Sequence, residues 1–426
     1  MVLGCQEALH RAGRVLRYLG RTPLVAEPCC GIGGLRSWAA ASGVPYHACF
    51  AHDFDSEIEE FYVSLQKSGV EGLGGVACGP VLGDISLVSS EDLPQCEALV
   101  SGPPCQPYAP NGRGEGFKDP RSEIFEIVVK WVIHMAWAGS LVCFLLENSV
   151  AIASHDFFWK LVDQICLSCP FFLVEVVEQD LKCVLPHSRP RLWLRGLRRD
   201  CLVGSCLPPP KSVSEVSRLQ LKLSDFLQPG LPNVSPQSLT QTMQANLALY
   251  KALALDAMAK GEATAEVMAV ELDRNPLRQY GGAVCWDSIP SLRCGGPKIF
   301  LVSLPDLSAN PSCWEKQKYH RFLSIDERFL LQGHGAELSE HFRTQSAAMA
   351  ASGNAFNVLQ VALMLSPLLE AATTAGVLTK EGVEKLSTTQ LAQLIPSGGP
   401  QERPKLQRLS PQETATQGQK RKRVRC

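Results

Sequence analysis

Short apolar runs alternate with polar, acidic or glycine-rich breaks through the first 200 residues. Over Pro23–Gly43, PLVAEP is followed by CCGIGG and LRSWAAASG, which predicts a strand, a tight turn and a helix. HACFAHDFD reads as a second strand ending in acidic residues, and SEIEEFYVSLQ as the helix after it. A third short strand ends near Gly83-Asp84-Ile85, and a fourth, EALVSG, runs into PPCQPYAPNGRGEG. A helix around Ser122–Trp137, the strand LVCFLLENS, a helix near Asp156–Cys169, and FFLVEVVEQD followed by RPRLWLRG complete the series. Apolar strands alternating with helices predict an α/β fold, a doubly wound and mostly parallel sheet.

The rhythm breaks after Asp200. CLPPPKSVSEVS opens a stretch rich in Pro, Gly and Ser that runs to about Pro311, with a helix near Leu239–Lys260 and no β-α-β alternation. Helical patterning returns at ERFLLQG and AFNVLQVALMLSPLLEAA. The expected organisation is a catalytic and cofactor-binding domain over 20–200, a smaller domain over 201–315, a return to the first domain over 316–372, and a flexible basic tail over 397–426. Ile127–Leu146 is long and apolar enough to raise a membrane span, but Lys130 and His134 interrupt it and Gly139-Ser140 splits it. A buried helix followed by a strand is the better reading, and no membrane is expected.

Composition narrows the class without naming a function. With 45% hydrophobic and 19% charged residues among 426, the chain is neither wholly disordered nor a coiled coil. The balance of 41 Lys+Arg against 42 Asp+Glu does not announce a nucleic-acid binder, although a basic cleft can hide in a neutral sum. The 17 cysteines are spread along an apolar chain whose first residues, MVLGCQEALHRAGRVLRYLG, lack the unbroken apolar core of a secretory leader. A reducing compartment and mostly free thiols are expected. Cys29-Cys30, Cys201/Cys206 and Cys285/Cys294 lack zinc-ligand spacing, and His187 and His320 have no partner at motif spacing, so no metal is expected.

Four places can carry chemistry. In CCGIGG, Gly31, Gly33 and Gly34 allow a sharp turn and close approach of a ligand, or simply a tight connection. Asp53 and Asp55 stand at the next strand end, where a carboxylate can grip ribose hydroxyls or cap the strand, and Asp84 is the natural third contact. Cys105, in Gly102-Pro103-Pro104-Cys105-Gln106-Pro107, sits on a proline-stiffened loop beyond a strand's carboxyl end. That suits a nucleophile held close to its target, or a buried thiol in a turn. Glu147, after six apolar residues in LVCFLLENS, is either a desolvated acid able to share a proton or a sheet-edge cap. Arg189 and Arg191, two apart in HSRPRLWLRG, would face the same way on an extended segment. There they can hold a phosphate, steady Cys105 and Glu147, or line a solvated face.

Taken together, EPCCGIGG, HDFD, GDI, SGPPCQPYAPNGRG, LLENS, HSRPRLWLRG, RFLSIDERFLLQG and GNAFNVLQVALML resemble, in order and spacing, the motifs of the C5-cytosine methyltransferase family. The likeness runs from about Pro23 to Leu365, apart from the variable smaller domain. It implies a Rossmann-like fold that binds S-adenosyl-L-methionine, with Cys105 as nucleophile, Glu147 as acid, and Arg189 and Arg191 as the paired arginines of the catalytic set. By the same resemblance the cofactor would lie against Glu27, Cys29, Gly31, Ile32, Gly33, Gly34, Asp53, Phe54, Asp84, Ile85, Pro104, Asn354 and Ala355. Gln332 would support the target-recognition domain over 201–315, and Gly353 and Asn354 would open the last motif.

The implied activity is methyl transfer to C5 of cytosine in double-stranded DNA, by a monomer, through a covalent cysteine adduct on a base extruded from the helix. A branch of the family acts on tRNA and carries a Cys-Phe-Thr-like triplet that has no counterpart here. A non-catalytic regulator of the same fold is the remaining alternative. Three departures stand out: Cys29 replaces a phenylalanine that stacks near the adenine, Ser149 replaces a valine, and His187 replaces a glutamine. The run KRKRVR resembles a nuclear import signal or a nucleic-acid tail, so a nuclear location is expected, with the cytoplasm as the alternative.

Overall fold

The computed structural model describes residues 3–67, 77–78, 81–108, 116–182, 184–211, 221–278, 284–294, 298–309 and 313–409. Along the chain the strands are β1 (Val25–Pro28), β2 (His47–His52), β3 (Ala77–Cys78), β4 (Val81–Leu82), β5 (Ala98–Ser101), β6 (Cys143–Ser149), β7 (Phe172–Gln179) and β8 (Arg191–Arg198). They are followed by β9 (Val267–Glu271), β10 (Cys285–Trp286), β11 (Ile299–Ser303), β12 (His320–Phe322) and β13 (Leu406–Arg408). Among the described residues a nine-stranded sheet has the order β13-β7-β8-β6-β5-β1-β2-β3, with β4 also paired to β2. Pairing is parallel throughout except at β8, which runs antiparallel to both β6 and β7.

The apolar runs have a direct cause in this arrangement. β1, β5 and β6 are buried along their whole length, because both faces of the sheet are covered. Val25, Ala98, Val100, Cys143 and Leu145 point into one core, with the helices Leu3–Ala12, Gly34–Ser42 and Val358–Thr374. Ala26, Leu99, Phe144 and Leu146 point into the other, with the helices Glu123–Trp137 and Asp156–Ser168. Side chains alternate between two apolar layers, so the strand has no polar face.

The apolar stretch Ile127–Leu146 divides as its sequence suggests: the helix ends at Trp137, Gly139 turns at φ 89°, and β6 begins at Cys143. A side chain at Gly139 would meet the Leu386 carbonyl oxygen at 2.0 Å, so the turn and the later chain fit only without one. Within the other long apolar stretch, Gln345–Thr374, the most apolar 18-residue window is 89% buried inside the protein.

The smaller domain builds a four-stranded antiparallel sheet, β10-β9-β11-β12, against the helix Gln241–Ala259. Thr240 caps that helix by accepting the Met243 N–H. Leu247, Tyr250, Val270, Phe300 and Val302 form its own core. β12 completes this sheet, so the domain extends past the expected boundary at 315 to Phe322.

The expected flexible tail needs a larger correction. Up to Leu409 it is bound to the main sheet: the Gln401 side chain accepts the Val174 N–H at 2.8 Å and donates to the Val174 carbonyl at 2.7 Å. Arg403 pairs with Asp163 at 2.9 Å and lies over the Trp159 ring, and β13 adds to β7. A strand of sequence Leu-Gln-Arg has neither alternation nor an apolar run, so periodicity cannot reveal it. Residues 410–426 of the expected tail, and 109–115 of the loop after Cys105, lie outside the described residues.

Candidate active site

β1 delivers the glycine-rich turn. Cys29 (φ 55°), Gly31 (φ 50°) and Gly33 (φ 75°) all take left-handed backbone, which reverses the chain into the helix Gly34–Ser42. A side chain at Gly34 would meet the Phe356 ring at 2.9 Å, whereas one at Gly31 would meet nothing within 4 Å, so among the described residues the outer side of the turn is open. Gly31 N–H donates to Asp53 at 2.9 Å, which fixes the carboxylate beyond β2 against the turn. Burial pushes the Asp53 carboxyl up from its usual range. Phe54 beside it is 82% exposed. Asp84, beyond β4, accepts from the Ser86 hydroxyl and N–H at 2.8 Å each, and these bonds hold its pKa down. Ile85 is buried next to it.

Glu27 is buried at the end of β1, and among the described residues neither of its carboxylate oxygens has a hydrogen-bond partner. Burial pushes its pKa up to about 8 against the pull of Arg36. The open turn, the two strand-end carboxylates and the bare phenyl face suit a ligand that joins hydroxyls to a flat ring. The orphaned Glu27 carboxylate suits a positive charge on that ligand. Cys29 is part-exposed in this turn, and burial and the Asp53 charge push its thiol up.

The Cys105 loop is tied down at successive residues. Ser101, ending β5, donates its hydroxyl to the Pro28 carbonyl at 2.6 Å. Gly102 abuts Phe356, whose ring an added side chain would meet at 2.6 Å. The Pro103 carbonyl accepts from Asn148 at 3.1 Å, and the Cys105 carbonyl accepts the Tyr108 N–H at 3.1 Å. Cys105 itself is part-buried. On β6, Glu147 pairs with Arg191 of β8 at 2.5 Å, in a mostly enclosed position. Burial first, and then the Glu147 charge, raise the Cys105 pKa, while Arg191 and Arg189 work the other way. The resting sulfur is therefore a thiol beside a carboxylate–guanidinium pair.

The two arginines, both close enough to act on the Cys105 charge, have different partners. Arg191 meets Glu147, but Arg189 lies before β8, on a segment where His187 bridges to Ile289. Its guanidinium donates to Leu292 at 3.1 Å, Gly353 at 3.2 Å and Ala355 at 2.7 Å, all carbonyls. Arg189 thereby ties the smaller domain and the returning chain to the sheet. Burial and the Arg191 charge push its pKa down to about 9.

The return supplies the remaining pieces. Asn354 is exposed beside the site, 3.5 Å from the Gln106 amide, and Ala355 is buried next to it. Gln332 donates to the Ser352 carbonyl at 3.3 Å, and His187 donates to the Leu331 carbonyl at 3.0 Å. Burial pushes His187 down to about 4, which keeps it neutral. Sequence reasoning did not single out Phe356, the wedge between the turn and the Cys105 loop, or Asn148, the tie between that loop and β6. Both stand inside quoted motifs, one residue from a hydrophobic or acidic neighbour that drew the attention. Among the described residues no cluster of three or more His, Cys, Asp or Glu side chains is placed to hold a metal.

The family model described as C-5 cytosine-specific DNA methylase matches residues 25–366. The chain is 29% identical over 172 residues to the type II methyltransferase M.HaeII of Haemophilus aegyptius, covering 39% of this chain and 48% of that protein. It is 36% identical over 128 residues to M.DsaV of Dactylococcopsis salina, covering 30% of this chain and 31% of that one. The matched stretch thus spans about half the length, or less, of these curated relatives. In fold, the chain is similar to the Dnmt2 methyltransferase of S. pombe, with a TM-score of 0.52, 16% identity, and 83% of this chain covering 100% of that one. A Spodoptera frugiperda DNMT2 mutant gives a TM-score of 0.51 at 14% identity, over 82% of this chain and 99% of that one. With its motifs assembled at one end of one sheet and a family model matched over residues 25–366, the chain belongs to the C-5 cytosine-specific DNA methylase family.

Proposed function

We propose that the protein is a DNA (cytosine-5-)-methyltransferase that uses S-adenosyl-L-methionine. The observation that carries this reading is the placement of Cys105, on a loop tied to β6 by Asn148, beside the Glu147–Arg191 pair. The residues suited to the cofactor are Gly31, Asp53, Phe54 and Asp84, with Glu27 near its positive charge. When bound there, the cofactor supplies a methyl group on a sulfonium, an electrophile that an unactivated cytosine C5 attacks poorly.

The protein's own groups supply the activation. Cys105 adds to C6 of a cytosine turned out of the duplex, and Glu147 hydrogen-bonds or protonates N3. Electron density then moves to C5. Once C5 carries its new substituent, a solvent base takes the C5 proton, the C5–H electrons restore the ring double bond and expel Cys105 as thiolate, and any proton on N3 returns to Glu147. Glu147 engaged with N3 no longer sets its full charge against the thiolate, so thiolate formation is coupled to arrival of the base. Arg191 holds Glu147 in position throughout.

Duplexes containing 5-fluorocytosine test the reading, because the fluorine cannot leave as a proton and the adduct persists. A covalent complex that needs both cofactor and Cys105 is expected, together with transfer of labelled methyl to ordinary duplex. No adduct would support a non-catalytic regulator. Label appearing mainly in tRNA, in competition at fixed salt, would move the substrate to RNA.

A further inference from the structure

The smaller domain meets the catalytic edge of the main sheet through one short segment, Leu292–Cys294. Arg189 lies just before β8, whose first residue Arg191 is paired with Ser149 at the end of β6. From that edge its guanidinium donates to the Leu292 carbonyl at 3.1 Å. Arg328 donates to the Arg293 carbonyl at 3.2 Å. Gly353 lets the segment come close: an added side chain there would meet the Arg293 carbonyl carbon at 2.2 Å and the Cys294 nitrogen at 2.3 Å. Charge on Cys294 bears on both Cys105 and Arg189, so the segment lies beside the proposed nucleophile.

From this fixed backbone the Arg293 side chain turns back into its own domain. It donates to Glu271, the last residue of β9, at 2.6 Å, and Arg274 approaches the other carboxylate oxygen at 2.9 Å. Glu271 is buried, and the Tyr250 hydroxyl donates to its carbonyl at 3.3 Å. The Arg293 and Arg274 side chains keep 26% and 36% of their surface exposed, so neither is spent entirely on the carboxylate. One arginine would neutralise Glu271. Two leave a positive charge beside the site, in a chain whose formal net charge is -1.

A phosphate contact does not call for such a mount, because a flexible cation meets a phosphate from many directions. A guanidinium fixed by a buried carboxylate suits a target that demands one plane and one direction. In the major groove guanine offers that target, since its N7 and O6 are two adjacent acceptors matched by two parallel N–H donors. We propose that Arg293, held by Glu271, reads a guanine within about three base pairs of the extruded cytosine, roughly 10 Å along the duplex. Glu271 is then a positioning residue. Arg274 offsets the carboxylate charge, so Arg293 keeps its attraction for the guanine acceptors. The inference rests on the duplex DNA reading above and deepens it by naming a base that the site selects.

Sequence selection on the full-length protein tests this. Duplexes carrying one cytosine amid randomised flanks are offered at fixed salt to the parent, Arg293→Gln and Glu271→Gln, and the bound and methylated pools are sequenced. The parent should enrich guanine at one position near the cytosine. Arg293→Gln should lower that preference about 10- to 100-fold and keep the preferences elsewhere, and Glu271→Gln should weaken it at the same position. A third measurement needs no variant: 7-deazaguanine at that position, which lacks the N7 acceptor, should weaken binding by the parent about tenfold.

A parent with no guanine-selective position, an unchanged profile in Arg293→Gln, or indifference to 7-deazaguanine overturns the inference. Arg293→Gln weakening every sequence alike, with a salt-dependence slope smaller by about 1, overturns it in favour of a phosphate contact. Label appearing mainly in tRNA overturns the duplex reading and the inference with it. A guanine-selective bound pool without methylated product removes the catalytic reading and leaves the inference standing.

Discussion

The Asn148 side chain donates to the Pro103 carbonyl at 3.1 Å and so joins the end of β6 to the loop that carries Cys105. Asn148 is fully buried and its own oxygen accepts the Ser149 N–H at 2.8 Å, so its rotamer is fixed from both ends. Since Glu147 is the adjacent residue, one side chain ties together the groups proposed as nucleophile and acid. Asn148→Ala strands a buried carbonyl, at about 1–3 kcal/mol, and frees the loop. Turnover is expected to fall about 100-fold while duplex binding stays within a few fold, since small misplacements of reacting groups are costly. Single-turnover rates and binding isotherms on the same protein check this, and an unchanged rate would mean that the prolines alone hold the loop.

Glu147→Gln separates electrostatics from catalysis. Removing the carboxylate takes away a charge that raises the Cys105 pKa, so the thiol should ionise at lower pH. Alkylation of Cys105 by iodoacetamide near pH 8 is expected to quicken, while methyl transfer falls by 100-fold or more. The opposite pair of outcomes, slower alkylation with normal turnover, would show that Glu147 neither opposes the thiolate nor assists the base.

Arg189 and Arg191 should fail differently. Arg189→Met leaves three backbone carbonyls without their donor and should lower stability by about 3 kcal/mol, read as a fall in Tm. Its kcat at a temperature where the variant is folded should drop less than that of Arg191→Met, which releases Glu147. Equal stability with equal loss of kcat would restore the two to one role.

Much of this was legible in the sequence for a physical reason. Strands buried on both faces must be apolar throughout, so PLVAEP, EALVSG and LVCFLL declare themselves, and the polar residues that end them mark the site edge. What was not legible depends on partners far along the chain. Arg189 and Arg191 share a spacing, and only the bridge from His187 to Ile289 shows that the strand has not yet begun at Arg189. Phe356 reads as one more apolar residue until its ring is seen to fill the space left by Gly34 and Gly102. β13 is held by side chains of Gln401 and Arg403 and by an edge strand more than 200 residues earlier, none of which leaves a local pattern.

Glu27 gives a pH dependence whose sign is fixed. Its folded pKa of about 8 lies above the usual 4.5, so the folded protein holds a proton that the unfolded chain releases between those values. The resulting stability is complete below about pH 4.5 and is lost as pH rises through 8. Glu27→Gln should abolish this loss, and near pH 8 it should be more stable than the parent by up to a few kcal/mol. Thermal unfolding from pH 5 to pH 8.5 checks it: parallel Tm curves for parent and variant would show that Arg36 keeps the carboxylate ionised.

In the proposed cofactor reading, Cys29 bears on how the adenine would be held. A phenylalanine there would have to take the left-handed backbone seen at Cys29, φ 55°, at a cost of about 1–2 kcal/mol. Phe54, directly after Asp53, already presents a bare ring at the neighbouring strand end. Stacking on such a ring is worth about 1–3 kcal/mol per base. Phe54→Ala should therefore weaken binding of S-adenosylhomocysteine about tenfold or more by calorimetry, with the Tm of the free protein nearly unchanged because the ring is exposed. Cys29→Phe should recover little of the loss, since the strain it introduces offsets much of what a second ring would contribute. If Phe54→Ala binds as the parent does while Cys29→Phe binds tenfold tighter, the adenine lies against the glycine-rich turn and not against β2.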